Sequence, residues 1–194
     1  MDYPCFIEVD GKRYPINTNF KVAIKCNEIA ENDKIGKMER SLAIIYLLFG
    51  EEALNDYKHY DKILELALKY LLCGKEKVPN DGEPDMSFTE DYSYIKASFR
   101  SDYGMDIDKE DIHWWEFCDL MNGLSNSEMG NCCILNRVRR LRNYDISKIK
   151  DDKERQEYQK MKEQIALKRN KKELNLTEKQ LQSMEELNKI IGIE

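Results

Sequence analysis

The apolar positions of the first half of the chain follow a strand pattern and then a helical one. Residues 5–16 read as two short strands around Asp10 and Gly11, a pair that readily supplies the positive φ of a two-residue hairpin turn. Apolar residues then recur at helical spacing in three segments, which start after Thr18, at Ile35 and at Asp61, and the second and third of these end at Gly50 and Gly74. The pattern therefore predicts an N-terminal hairpin followed by three amphipathic helices.

The second half reads as further helices after a loop at residues 74–87, which holds two glycines and two prolines. Ser87 and Glu90 form a capping box, so the pattern predicts a helix from Ser87 to Gly104. Asp108 is the expected cap of the next helix, which is apolar on nearly every side, and a further helix is predicted from Ser127. We therefore expect an all-α, mainly helical fold with a small N-terminal β-hairpin.

The sequence changes character after Tyr144, where charged residues dominate and only narrow apolar stripes remain. We predict a helical domain with its hairpin over residues 1–144 and a charged helical C-terminal arm over residues 145–194. Each stripe is too small to stabilise a free helix, so we expect the arm to lie on a protein surface, of its own domain or of another chain. The stripes consist of Tyr158, Met161 and Ile165, and of Leu181, Met184 and Leu187 with Ile191.

Charge is distributed unevenly along the chain. Residues 1–124 carry 15 basic and 25 acidic side chains, residues 125–172 carry 14 and 7, and residues 173–194 carry 2 and 5. An acidic body joined to a basic segment favours charged partner surfaces or head-to-tail self-association, so we expect a homo-oligomer.

The chain has no feature of a membrane or secreted protein. No apolar run approaches the ~18 residues that a membrane span requires, and the first ten residues do not resemble a secretory leader. Six cysteines lack any Cys-x-x-Cys spacing, which is typical of reduced thiols in a cytosol. We therefore expect a cytoplasmic protein with no membrane partner.

Few residues could support catalysis or metal binding. His113 and Cys118 are five positions apart, which places them about 140° apart on a helix and rules them out as a base and nucleophile pair there. A zinc site that adds Cys132 and Cys133 lacks the usual ligand spacing. No glycine-rich phosphate loop occurs. The sequence thus predicts a binding protein with no catalytic, metal-binding or cofactor-binding residues.

Besides the two apolar stripes of the arm, which are candidates for partner binding, two further features are candidates, and each has two interpretations. Trp114 and Trp115 are either core anchors, which we favour, or partly exposed contacts for a partner. Four arginines near the start of the basic segment could bind phosphates or could form a protein-facing helix surface, which we favour because the pI is about 5.2. These arginines are Arg137, Arg139, Arg140 and Arg142.

One stretch of the sequence resembles a known family. The segment from Thr89 to Arg139 is similar to the signature of the bacteriophage Gp15 family of siphophages that infect Gram-positive bacteria, and its His-Trp-Trp-x-Phe block is the most specific part. The N-terminal half is similar too, although it has Asn19 and Lys21 where that family tends to have an acid and an arginine. The motif positions are Asp91, Ile95, Ser98, Phe99, Tyr103, Gly104, Met105, Asp106, His113, Trp114, Trp115, Phe117, Gly123, Leu124 and Arg137.

This resemblance implies a function in phage tail morphogenesis. The family is associated with genes beside the tape measure gene, in the position of tail assembly chaperones. We therefore expect a non-enzymatic protein that binds the tape measure protein, with the tail tube protein as a further candidate partner. The alternative is a nucleic-acid-binding regulator that uses the basic stretch from Arg137 to Lys150, although we do not favour a nucleic-acid partner.

Overall fold

The computed structural model describes residues 3–32, 34–76, 84–127 and 131–168, and within these ranges the chain is mainly helical. One two-stranded antiparallel sheet comes first, followed by seven α-helices and two short 3-10 turns at Tyr57–His59 and Ile146–Lys148. The strands are β1 (Phe6–Val9) and β2 (Lys12–Pro15), and the helices are α1 (Phe20–Ala30), α2 (Lys37–Leu54), α3 (Tyr60–Leu71), α4 (Tyr92–Tyr103), α5 (Trp114–Asn122), α6 (Ile134–Asn143) and α7 (Asp152–Ile165). The predicted fold class is confirmed.

The hairpin forms where the sequence predicts it. Asp10 and Gly11 both have positive φ, of 49° and 82°, as a two-residue turn with the twist of the strands requires. Ile7 pairs with Tyr14, and both side chains are buried. The hairpin therefore presents one apolar face to the helices.

The ends of α2 and α3 lie close to the predicted residues, and α1 begins with a side-chain cap. Asn19 caps α1 through its side-chain oxygen, which accepts a hydrogen bond from the backbone N–H of Lys21 at 2.8 Å. Gly50, with φ 77° and ψ −171°, interrupts α2 at the predicted stop, and a short final turn follows it. Gly74, with φ 72°, lies just beyond the end of α3.

Stacked aromatic rings form the centre of the core. The ring of Phe117 lies 4.6 Å from that of Phe20, 5.3 Å from that of Phe99 and 5.8 Å from that of Trp114. Phe99 and Trp114 are fully buried, while Tyr103, Trp115 and Leu120 are half-buried and pack against the core edge. Rings from α1, α4 and α5 thus hold three helices together.

Helix α5 begins at Trp114, so the predicted cap at Asp108 is wrong. The backbone around residue 112 is extended and pairs with the chain before α1: Phe20 N–H donates to Ile112 C=O, and Trp114 N–H donates to Thr18 C=O. His113 Nδ1 then accepts from Trp115 N–H at 3.0 Å and caps the helix. A non-local pairing and an unusual cap residue explain the error.

Helix α6 begins at Ile134 and not at Ser127. A short bridge between Asn126 and Cys132 holds the preceding backbone in an extended form. The Sγ of Cys133 accepts a hydrogen bond from Asn136 N–H at 3.5 Å and occupies the cap position.

Helix α4 begins at Tyr92 and not at Ser87, because residues 88–91 form a turn before it. In that turn Ser87 Oγ accepts from Glu90 N–H as predicted, but Asp91 and not Glu90 accepts from Ser87 N–H. Glu90 instead accepts a hydrogen bond from the backbone N–H of Lys168.

Within the described residues, no helix is long and apolar enough to cross a membrane.

Candidate partner-binding surface

Helices α6 and α7 bring two sequence-predicted sets of residues onto one surface, which we call the α6–α7 face. Leu135 and Val138 turn inward and are buried, while Arg137 is exposed and Arg139 and Arg140 are half-buried. The start of α6 is fixed to α4, because Ser98 Oγ accepts a hydrogen bond from Leu135 N–H at 3.1 Å. The face therefore stands on a rigid base.

Helix α7 packs against its own chain. The ring of Tyr158 lies 5.4 Å from that of Tyr144, and Lys162 Nζ donates to the backbone carbonyl of Tyr144 at 2.7 Å. Ile149 and Leu167, which flank the helix, are both buried. The described part of the arm thus lies on its own domain, while the domain boundary after Tyr144 stays a prediction.

Arg142 has a structural role beneath this face. Its guanidinium donates to both carboxylate oxygens of Asp91 at 2.7 Å, and the Asp91 side chain is fully buried. The same guanidinium donates to the backbone carbonyls of Ile165 and Asp85, each at 2.8 Å. Arg142 therefore joins α4, α6 and the end of α7 in one buried, satisfied ion pair.

The other three arginines differ in whether an acidic side chain neutralises their charge. Arg139 pairs with Asp85 at 3.2 Å, and Asp85 also accepts from Asn143. Arg140 donates to the side-chain oxygen of Asn126 at 2.7 Å, which leaves its positive charge without an acidic partner among the described residues. Arg137 is exposed. The face accordingly presents two cations that no described carboxylate neutralises.

A surface cavity of about 470 Å³ opens between these side chains, which is large enough for one or two side chains of a partner. Asp85 is already paired with Arg139, and the other acid at the cavity, Asp145, lies 3.9 Å from Lys148 Nζ. The hydroxyl and backbone N–H of Ser147 both donate to Asp145 and hold the pKa of that carboxyl below its ordinary value, so it stays ionised. The cavity is lined by Asp85, Asn126, Asn136, Arg139, Arg140, Asn143, Tyr144, Asp145 and Lys148.

Exposed apolar side chains lie at the cavity and on helix α7. Tyr144, which lines the cavity, is 43% exposed, and Met161 on α7 is 40% exposed. Tyr158 and Ile165 are half-buried, because Tyr158 contacts Tyr144 and the backbone at Ile165 contacts Arg142. An exposed Tyr at the cavity, an exposed Met on α7 and unneutralised cations on α6 suit an amphipathic segment that carries acidic side chains.

The structure decides between the two interpretations of Trp114. Its side chain is 2% exposed and its Nε1–H donates to Leu71 C=O at 3.0 Å, so it is a core anchor and does not present itself to a partner. The expectation of a partner contact at Trp114 is therefore corrected by its burial. The other predicted stripe, Leu181, Met184 and Leu187, lies outside the described residues.

Sequence reasoning missed the acids and amides that complete this surface. Asp85, Asn126 and Tyr144 come from segments that the chain pattern assigned to loops or ends of helices. Asp91 was noted only as a motif position, and its partner Arg142 is 51 residues away. No local periodicity marks such pairs.

Among the described residues, no group of three or more His, Cys, Asp or Glu side chains could hold a metal ion.

The positions of the family-like motif have structural roles in this fold. His113 caps α5 and its Nε2 lies 3.1 Å from Pro4 C=O, Gly104 ends α4 with φ 69°, and Phe117 centres the aromatic core. These motif positions therefore belong to the helical scaffold beneath the α6–α7 face.

Comparison with known proteins shows which family this chain belongs to. The family model described as Bacteriophage Gp15 protein matches residues 2–167, which includes α7 and extends beyond the resemblance seen in the sequence motifs. Comparison with curated proteins and with solved structures gave no match. Since the matched range covers most of the 194 residues, the chain belongs to the bacteriophage Gp15 protein family.

Proposed function

We propose that this phage protein is a non-enzymatic tail assembly protein that binds the tape measure protein during tail morphogenesis in the host cytoplasm. It would keep the long tape measure helix in solution until tail tube subunits assemble around it, and would then dissociate. The observation that carries this proposal is the family match over residues 2–167, together with the function that the family resemblance implies.

The α6–α7 face supports the proposal physically. A helical partner needs a surface that combines apolar contacts with charges that fix its direction. Met161 and Tyr144 supply exposed apolar area, and Arg140 supplies an unneutralised positive charge beside a cavity. Apolar burial would contribute most of the affinity, because an exposed ion pair adds at most ~1 kcal/mol.

Self-association is the second part of the proposal. The acidic body and the basic segment of one copy suit head-to-tail contact with the next copy, which would place several chaperone copies along one partner helix. Because α7 is folded onto α6, the basic contact in this arrangement would be the α6–α7 face and not an extended arm.

Co-expression tests the proposal. A tape measure fragment from the same phage, insoluble when expressed alone, should become soluble and co-purify when this chain is present. An acidic helical protein of similar size, unrelated to phage tails, serves as the control for non-specific charge effects. A fragment that stays insoluble with this chain, or that the control protein dissolves equally well, would contradict the proposal.

Fewer unpaired cations are available for the alternative function, nucleic-acid binding, than the sequence indicated. Arg139 and Arg142 are paired with Asp85 and Asp91, so only two of the four arginines are left without a described acidic partner. Gel-shift assays at low and high salt separate the two functions, since phosphate binding by a few cations weakens steeply with salt. We expect no complex with DNA or RNA at physiological salt.

A further inference from the structure

Helix α3 carries an apolar stripe on its outer side in addition to its buried face. Its inner positions, Ile63 and Ala67, are fully buried. The outer stripe repeats every four residues and becomes more exposed toward the end of the helix, where Leu68 is 45% and Leu72 40% exposed. We call it the α3 stripe, and it consists of Tyr60, Leu64, Leu68 and Leu72.

Further exposed apolar groups adjoin the first turn of α3. The hydroxyl of Tyr60 lies 3.4 Å from the sulfur of Met38, which is 60% exposed, and Tyr57 just before the helix is 77% exposed. Four of the eight large apolar side chains that are exposed among the described residues therefore lie on α3 or next to it. Such clustering marks a surface that something covers.

The chain itself contains a segment with a matching pattern. The described structure ends at Lys168, and 26 residues follow. In them, Leu181, Met184, Leu187 and Ile191 recur at helical spacing after a capping box at Thr177 and Gln180. That stripe is about 15 Å long on a helix, and the α3 stripe from Leu64 to Leu72 is about 12 Å long.

The chain leaves the described structure near the end of α3. The backbone N–H of Lys168 donates to the Glu90 carboxylate. Phe88, two residues before Glu90, has its ring centre 5.6 Å from that of Trp114. Trp114 in turn donates to Leu71 C=O at 3.0 Å. These contacts link Lys168 to the end of α3, and the eight residues between Lys168 and Thr177, where the capping box begins, can span up to about 30 Å.

From this match of reach, length and pattern we propose that residues 177–191 dock as a helix on the α3 stripe of the same chain. A tether of this length gives the segment a local concentration on the order of millimolar, which favours it over a second copy or a partner helix in dilute solution. The inference does not depend on the tail assembly function, because it concerns a different surface from the α6–α7 face.

Hydrogen exchange of the full chain, followed by mass spectrometry at two protein concentrations, tests the docking. We expect the amides of residues 181–191 to exchange at least about tenfold more slowly than in an isolated peptide, equally at both concentrations. The double variant Leu68→Lys with Leu72→Lys should abolish this protection. Tyr46→Lys, which changes an exposed aromatic residue on α2, is the matched control and should leave the protection unchanged.

A second pair of substitutions acts on the other side of the contact. Met184→Lys with Leu187→Lys leaves the described domain untouched and should remove the same protection, so the test stands even if the α3 variant folds poorly. Unprotected amides in the wild-type chain would overturn the proposal. So would protection that survives both variants, or protection that rises with protein concentration, which would identify a second copy as the occupant.

Discussion

Trp114 and Trp115 are neighbours in the sequence but have different surroundings. The Nε1–H of Trp114 donates to Leu71 C=O, and that of Trp115 donates to Tyr70 C=O at 2.9 Å. These two acceptors belong to the last turn of α3, where carbonyls need partners beyond the helix, and Tyr70 C=O also accepts a hydrogen bond from Cys73 N–H at 3.0 Å. The paired indoles therefore cap α3 from α5, while only Trp114 is fully buried.

This difference predicts unequal costs of truncation. Trp114→Ala should lower the free energy of unfolding by about 3–5 kcal/mol, because it leaves a cavity beside Phe117 as well as an unpaired carbonyl. Trp115→Ala should cost less, since its ring is already partly in water. Urea unfolding of both variants measures this, and an equal or larger loss for Trp115→Ala would be inconsistent with the burial described above.

Arg142 and Arg137 allow a matched comparison within one helix. Arg142→Lys keeps the charge but loses the two-pronged contact with Asp91 and the contacts with two carbonyls, so it should cost about 1.5–3 kcal/mol of stability. Arg137→Lys, at an exposed position, should leave stability unchanged. Thermal and urea unfolding should show this contrast, and equal stability of the two variants would contradict a structural role for Arg142.

At the scale of elements, a polar network joins the hairpin to the start of α3. The hydroxyl of Tyr14 on β2 donates to Asp56, His59 Nδ1 lies 2.9 Å from the same carboxylate, and His59 Nε2 lies 3.2 Å from Asp10 in the turn. The Tyr14 hydroxyl and then His59 lower the pKa of Asp56 to about 2. The link is thus strongest while Asp56 is ionised.

This network predicts a pH-dependent effect of Tyr14→Phe. A carboxyl whose pKa is lowered by folding stabilises the protein fully above its unfolded value, about 4, and loses that contribution as the pH falls toward about 2. The stability difference between wild type and Tyr14→Phe should therefore be larger at pH 6 and narrow between pH 4 and pH 2. Urea unfolding across this range measures it, and a constant difference would show that Asp56 does not respond to Tyr14.

The sequence predicted elements best where local signals set their limits. The hairpin turn at Asp10 and Gly11 and the stops at Gly50 and Gly74 follow from backbone preferences of single residues, and all three were found. The starts of α5 and α6 were missed because His113 and Cys133 cap them after backbone pairing with distant residues. Likewise, one sequence carries no signal that joins Arg142 to Asp91, so the anchoring of the basic helix was not foreseen.

At the scale of the whole molecule, the charge polarity of the sequence becomes a difference between surfaces. The cations left without a described acidic partner on the α6–α7 face belong to the basic segment, whereas the body before it carries an excess of ten acids. Contact between the two surfaces in different copies would be favoured at low salt and screened at high salt.

Light scattering of the full chain tests this proposed self-association. We expect a mass above that of one chain at low salt and high protein concentration, decreasing as salt is added. Arg140→Glu should lower the mass at low salt, while Lys25→Glu on α1, an equal change of charge at an exposed site, should have a smaller effect. A single-chain mass under all conditions would leave the polarity without a role in assembly.

The most direct test of the proposed function is the fraction of tape measure fragment kept soluble by variants of the α6–α7 face. Arg140→Glu with Met161→Asp should reduce that fraction to the level seen without this protein, because both the charge and the apolar contact are removed. Lys25→Glu with Tyr46→Asp makes the same chemical change on α1 and α2 and should retain wild-type solubility. If both double variants, shown to be folded by circular dichroism, keep the fragment soluble as well as the wild type does, the α6–α7 face is not the surface that binds the tape measure protein.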